Sequence, residues 1–392
     1  MKVQVIKGSP LLFLYFFPIF IVNIDLGSIG EVFLRSQFIL YPLIVAYFYY
    51  KKKDPVILFG FIFGIVVFSL YGISYVLGDK YEYILDSFIG GVVLLMYLLV
   101  SLVIYRATEE NRDTLLYVLD KFILYSVVFI FSSYLIWSLT GLHVLADDGY
   151  GYFRPHAFMS EPSALTPFLA YAFSASILNK KHLQAFFVLV AIFVAGSIIA
   201  LFVSVIVLML SYFYNLKLLK KIILVSAVSL CIMFMYDYIL NYYSLGGSVY
   251  DSQMARLRQA LLSFESLGQE GYNPRVATTV DMVAYLLQEP IGFLLGHGPL
   301  SDKFLPFSDV ARSAPSLPMV MFFNFGFISM CVLLIWVVKG ILACDVKDKI
   351  NLLFVCLAIS SLVNSAQGLL IYQLVFLLGF MNKGKSREIP ST

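Results

Sequence analysis

The sequence predicts an all-α polytopic membrane protein of about 12 transmembrane helices, with a long and partly helical external loop. Three observations predict it. The chain is 60% hydrophobic and only 13% charged. Apolar runs of near-spanning length recur along its 392 residues. Basic residues then fall in every second connection between those runs. An ordinary soluble domain carries about 25% charged residues, and one of this length could not cover its surface with so few. A soluble enzyme, a nucleic-acid binder and a disulfide scaffold are excluded on that ground, while the net charge of +3 says little about partners.

The apolar runs lie near 10–24, 35–50, 55–77, 84–105, 118–140, 162–178, 183–196, 198–214, 221–240, 317–338, 350–365 and 367–381. Backbone polar groups in lipid must be satisfied internally, so each run is read as a helix. The first follows Lys2 and Lys7 but leads to no small-x-small cleavage pattern, which makes it an uncleaved helix. The runs on either side of Gly196-Ser197 are read as two short helices, because Lys180-Lys181 before them and Lys217, Lys220 and Lys221 after them are both basic flanks. With Lys51-Lys52-Lys53, Arg106, Arg112, Lys121, Lys339, Lys347, Lys349, Lys383, Lys385 and Arg387, these residues mark one side and make both termini cytoplasmic. The chain divides into residues 1–240 (nine spans and a short external loop at 141–161), a large external loop at 241–316, and residues 317–392 (three spans and a cytoplasmic tail). Cys231, Cys331 and Cys356 sit in apolar runs and Cys344 in a short basic connection, so none has disulfide or metal spacing. They read as small buried hydrophobes.

The external side carries an imbalance. Of 18 lysines only Lys80 and Lys303 are external, whereas six of nine arginines are: Arg35, Arg154, Arg256, Arg258, Arg275 and Arg312. The positive-inside effect depletes both residue types, so it does not explain an excess of arginine. A guanidinium is a planar, permanently charged fork that binds phosphate or carboxylate bidentately. Either these arginines pair with acids of the loop itself (Asp251, Glu265, Glu270, Asp281), or they receive an anionic ligand; the preference for arginine favours the ligand.

Within the large loop, Met254, Leu257, Leu261 and Phe264 share one helical face, which Gly268 and Gly271 end. Asn273-Pro274 opens a second helix, with Val276, Val280, Val283, Ala284 and Leu287 as its apolar face and Pro290 as its stop. Such helices lie at the outer membrane–water boundary or roof a cavity. Arg275 stands at a helix start, where amides and dipole also favour an anion. Arg256 and Arg258 are two apart, so they do not share a face; they either snorkel to headgroups or join the ligand site. Gly296-His297-Gly298-Pro299 is a tight turn, and His297 is a candidate base or donor, or a solvated loop histidine. Arg312, just before the tenth span, either faces a lipid-linked phosphate or anchors the helix.

The shorter external loop ends in Arg154-Pro155-His156-Ala157-Phe158-Met159-Ser160-Glu161-Pro162-Ser163. Proline keeps Arg154 extended. Pro162 suits the first turn of the sixth span, with Glu161 at its mouth, where the dipole favours a carboxylate. The pair is either structural or a cation and an anion held for a substrate. This stretch resembles the Arg…Phe-x-Glu-Pro pattern of O-antigen polymerases of the Wzy type, within the superfamily that includes O-antigen ligases. Two further features are similar to that family: the late external loop leading to Pro290-Ile-Gly-Phe-Leu-Leu-Gly-His-Gly298, and Asn324-Phe-Gly326-Phe-Ile-Ser in the following span. The span count and cytoplasmic termini match as well. The chain departs from the ligases in having Ala311-Arg-Ser-Ala-Pro-Ser316 where they carry His-Asn, and Ile198 where relatives often have arginine.

The resemblance implies a GT-C-like architecture of the ligase/polymerase type in the bacterial inner membrane. It implies transfer of a glycan from undecaprenyl pyrophosphate onto the non-reducing end of another lipid-linked repeat unit at the periplasmic face. Arg154, Arg275 and Arg312, with Arg256 and Arg258, would hold the pyrophosphate; Glu161 would be the acceptor base, with His297 in reserve. No cofactor or metal is expected, since Asp25 and Asp147-Asp148 lack supporting ligands. The expected partners are the lipid-linked oligosaccharide, membrane lipid and a chain-length regulator protein, with no nucleic acid. The rivals are an O-antigen ligase and a lipid-linked oligosaccharide flippase, for which Asp86 is the main intramembrane charge.

Overall fold

A computed structural model of the chain describes residues 25–29, 32–35, 37–77, 84–110, 112–144, 146–147, 153–155, 157, 165–213, 274–298, 301 and 316–363. Most of these residues are helical: α1 (Gln37–Lys52), α2 (Pro55–Leu77), α3 (Ile84–Glu110), α4 (Arg112–Thr140), α5 (Thr166–Leu178), α6 (His182–Val194), α7 (Ile198–Phe213), α8 (Pro274–Gln288), α9 (Pro290–Leu295), α10 (Leu317–Ala343) and α11 (Lys349–Val363). Two short antiparallel ribbons complete them, β1 (Asp25–Ile29) with β2 (Val32–Arg35) and β3 (Ala146–Asp147) with β4 (Arg154–Pro155). Helices therefore occupy every expected apolar run except those at 10–24, 221–240 and 367–381, which lie outside the described residues, as does the expected helix around Met254–Phe264.

Apolar sequence forms these helices because a helix satisfies its own backbone, and several buried hydroxyls bond back into the same helix. Ser101 Oγ donates to the Tyr97 carbonyl at 2.6 Å and Ser204 Oγ to Ala200 at 2.6 Å, so neither is left bare in apolar surroundings. The break at Gly196-Ser197 is real. Gly196 takes a φ of 63°, and the amides of Gly196 and Ser197 close back onto the carbonyls of Phe193 and Ile192, a left-handed helix ending that favours glycine. Thr166 and Ser197 then share a buried hydrogen bond of 2.8 Å that fixes the start of α5 against this turn. Asp348 accepts from the amides of Ile350 and Asn351 and so caps α11.

Helix α5 and much of α11 are buried on all sides, packed together with α7 at the centre of the main core. Around them, α2 and α1 lie on α3, close where Gly60 faces Leu99 and Leu102, since a residue without a side chain lets helices approach. Two ion pairs, Asp54–Arg106 at 3.2 Å and Asp120–Lys349 at 3.8 Å, join helix ends that the basic residues assign to the same side. A second, smaller core of Met282, Leu286, Phe322 and Phe323 fastens α8 to α10. Among the described residues, two helices are long and apolar enough to cross a membrane, over Leu116–Thr140 within α4 and Leu317–Ala343. The outward faces of α2, α4, α6, α7 and α10 carry exposed large apolar side chains, among them Phe59, Leu70, Leu135, Leu183, Phe202 and Ile335.

Candidate functional site

Two glycine-containing stretches that lie apart in the chain meet at the end of the large loop. Helix α8 begins at Pro274, as Asn273-Pro274 predicts, and stops at Gln288. Glu289 is extended, and Pro290 serves both as the stop of α8 and as an N-terminal residue of α9. After six residues the chain turns through Gly296-His297-Gly298 and lies on α10 where that helix is broken. The break is Gly326, with φ 83° and ψ 174°, a conformation that essentially only glycine adopts. In an unbroken helix the carbonyls of Phe323 and Asn324 would receive the amides of Phe327 and Ile328. Here they accept from the amides of His297 and Gly298, each at 2.9 Å. The approach is backbone to backbone: a Cβ on Gly326 would fall on the Leu294 carbonyl, and one on Gly296 on the Asn324 carbonyl.

Side chains lock this junction. Ser301 Oγ donates to Asn324 Oδ1 at 2.8 Å, with both residues buried. Tyr71 of α2 donates its hydroxyl to the Leu295 carbonyl at 2.9 Å and meets the Phe325 ring edge-on. Phe293 of α9 stacks on Phe327 with ring centres 5.4 Å apart. Tyr71 had no sequence signal, because a contact across 224 positions leaves no local pattern.

His297 is not the solvated loop histidine that its glycine neighbours allowed. It is only 8% exposed, with its ring against Tyr285 and Phe323 and Nδ1 3.6 Å from a Glu289 carboxylate oxygen. The expected apolar face of α8 divides: Val283 packs against the small core, while the rest of that face's described residues do not. Thr278, Met282 and Leu286 face the protein, whereas Val280 (50% exposed), Ala284 and Leu287 (65% exposed) point away from it. Both sides of this helix are apolar, so periodicity alone does not decide which side docks. Docking on Phe322 and Phe323 decides it.

In the shorter loop at 141–161, Arg154 is extended as Arg154-Pro155 predicts, and β4 pairs with β3 so that Arg154 lies directly across from Asp147. The same holds in the first ribbon, where Asp25 lies across from Arg35. Two of the arginines expected to be external therefore have an acid at the facing register position that sequence reading did not assign to them. Beside β4, Phe153 stacks on Trp137 at 4.9 Å, with Tyr134 and His143 at its edges. The described part of the helix after Glu161-Pro162 starts at Thr166 with Pro167 in its first turn, while Glu161 and Pro162 lie outside the described residues.

Of the candidate residues, His297 has a described side chain, and Arg154 and Arg275 have described backbone positions in β4 and in the first turn of α8. Glu161, Arg256, Arg258 and Arg312 lie outside the described residues. Among the described residues no group of three or more His, Cys, Asp or Glu is arranged to hold a metal ion. Compared with known protein families, curated proteins and solved structures, the chain matches none.

Proposed function

We propose that the chain is a polysaccharide polymerase of the O-antigen type, an inner-membrane glycosyltransferase with about 12 spans and cytoplasmic termini, working at the periplasmic face. The observation that carries this reading is the junction of Gly296-His297-Gly298 with Asn324-Phe325-Gly326, where the residues behind two of the three family-like features meet through their backbones. Motifs that are far apart in sequence and interlocked in space are more informative than either alone. The segregation of arginine to the external side supports the same reading.

In this reaction the bond between the donor sugar's anomeric carbon and the pyrophosphate oxygen breaks. The non-reducing-end hydroxyl of a second lipid-linked unit forms the new glycosidic bond. Its proton passes to a carboxylate, for which Glu161 is the candidate, and undecaprenyl pyrophosphate leaves. Fixed guanidinium groups stabilise the departing charge. Arg275 is the first to test, because Arg154 lies across from Asp147; Arg312, Arg256 and Arg258 follow. The burial of His297 suits it to hold Glu289 rather than to reach an acceptor hydroxyl. A chain-length regulator is the expected protein partner.

The test is conversion of a lipid-linked repeat unit into a ladder by the purified protein. Glu161→Gln should slow laddering by about 10²–10⁴-fold and Arg275→Ala by about 10²–10³-fold; full activity in either variant refutes its assignment. A second reading, a lipid-linked oligosaccharide flippase, draws on the broken helix at Gly326, since discontinuous spans are a transporter feature. A deletion strain separates the readings: single capped repeats without long chains mean polymerase, cytoplasmic accumulation of the lipid-linked unit means flippase, and complete loss of capping means ligase.

A further inference from the structure

The described end of the large loop, residues 274–298, exposes several large apolar side chains. We infer that its segment Pro290–Leu295 with the Gly296-His297-Gly298 turn dips into the outer leaflet as a re-entrant element, with the outward face of α8 and α9 against lipid acyl chains. The inference rests on α10 and α2 crossing the membrane with their basic ends cytoplasmic, and not on the glycosyltransferase reading.

Depth follows from helix rise. Lys339 marks the basic end of α10. A hydrocarbon core of about 30 Å takes about 20 residues from there, which puts the opposite boundary near Met319. Gly326 is then about 10 Å beneath that boundary, two turns into the span, and the turn is bonded to the carbonyls just before it. Helix α2 gives a second, independent gauge. Counted from Pro55, after the Lys51–Lys53 cluster, its outer boundary lies near residue 75 and Tyr71 about 6 Å below it. The Tyr71 hydroxyl holds the Leu295 carbonyl. Both gauges put the end of α9 well inside the apolar core.

The surface chemistry fits that depth. Ile291 is 77% exposed, and Leu287, Leu294, Leu295 and Val280 are exposed beside it. This patch runs on into the exposed Phe327 and Ile328 of α10, against which Phe293 already packs. An aqueous loop would present polar residues here, whereas lipid-facing protein presents apolar ones. Non-helical backbone at membrane depth persists only where protein satisfies its polar groups; the two backbone bonds to Phe323 and Asn324 and the Tyr71 hydroxyl do so. The Glu289–His297 contact becomes an ionisable pair at or near the same level, where a carboxylate needs a partner to be tolerated.

The experiment uses full-length protein in liposomes, with native cysteines replaced and a nitroxide label at Ile291→Cys or Leu295→Cys. Ile335→Cys, on the exposed face of α10, reports lipid, and Asn179→Cys, in the α5–α6 turn, reports water. The labels at Ile291 and Leu295 should relax with dissolved oxygen as strongly as the Ile335 label and lose the response to a water-soluble nickel chelate seen at Asn179. A nickel response equal to that of Asn179 overturns the inference. Because both positions are exposed, the substitutions leave packing intact. Ile291→Trp, in protein lacking Trp137 and Trp336, gives a second readout: quenching by lipids brominated in the acyl chain supports the inference, and its absence refutes it.

Discussion

Replacing Gly326 by alanine sets a methyl group on the Leu294 carbonyl at a backbone conformation of φ 83° and ψ 174°. The conformation alone costs a residue with a Cβ about 1–3 kcal/mol, and the overlap adds about 1–3 kcal/mol. The chain has one other way out, to straighten α10. That restores intrahelical bonds to Phe327 and Ile328 but takes the acceptors from the amides of His297 and Gly298, at about 1–3 kcal/mol for each buried group left bare. With the break kept, the cost comes to about 2–6 kcal/mol. Gly141 is the control, with a φ of 71° and nothing within 4 Å of an added Cβ, so alanine there carries only the conformational cost of about 1–2 kcal/mol. With an unfolding entropy of about 0.8 kcal/mol/K for 392 residues, Gly326→Ala should lower the thermal midpoint of the purified protein by about 2–7 °C, and Gly141→Ala by about 1–2 °C. A Gly326→Ala midpoint no lower than that of Gly141→Ala would refute the backbone contact as the reason for glycine.

Thr166→Ala, Ser197→Ala and the double variant form a cycle in which the buried 2.8 Å bond should appear as a coupling of about 1 kcal/mol in equilibrium unfolding; additivity within experimental error would remove that bond from the stability of the α6–α7 turn. The chain has only two tryptophans, which separates their signals. With Trp137→Phe, the remaining Trp336, 41% exposed on α10, should be strongly quenched by lipids brominated in the acyl chain. With Trp336→Phe, Trp137, stacked on Phe153, should respond less. The reverse order would show that this face of α10 does not meet lipid.

The helices were legible because a long apolar run has few options. A long apolar run must satisfy its own backbone, so composition and run length alone mark α1 to α7, α10 and α11. Local chemistry was legible for the same reason: Gly196 ends a helix, Pro274 begins one, and Pro155 keeps Arg154 extended, each through the residue's own backbone preference. The functional candidates were less so. Arg154 and Asp147 face each other only because two short strands pair, and α8 buries Met282 and Leu286 rather than Val280 and Leu287 because Phe322 and Phe323 are what it meets. The burial of His297 and the bond from Tyr71 to Leu295 depend on a helix broken at Gly326 that accepts the amides of a distant turn. Sequence carries the preferences of each segment, whereas which apolar face is covered, and how deep a turn sits, is decided by the partner it packs against and exists only once the chain is folded.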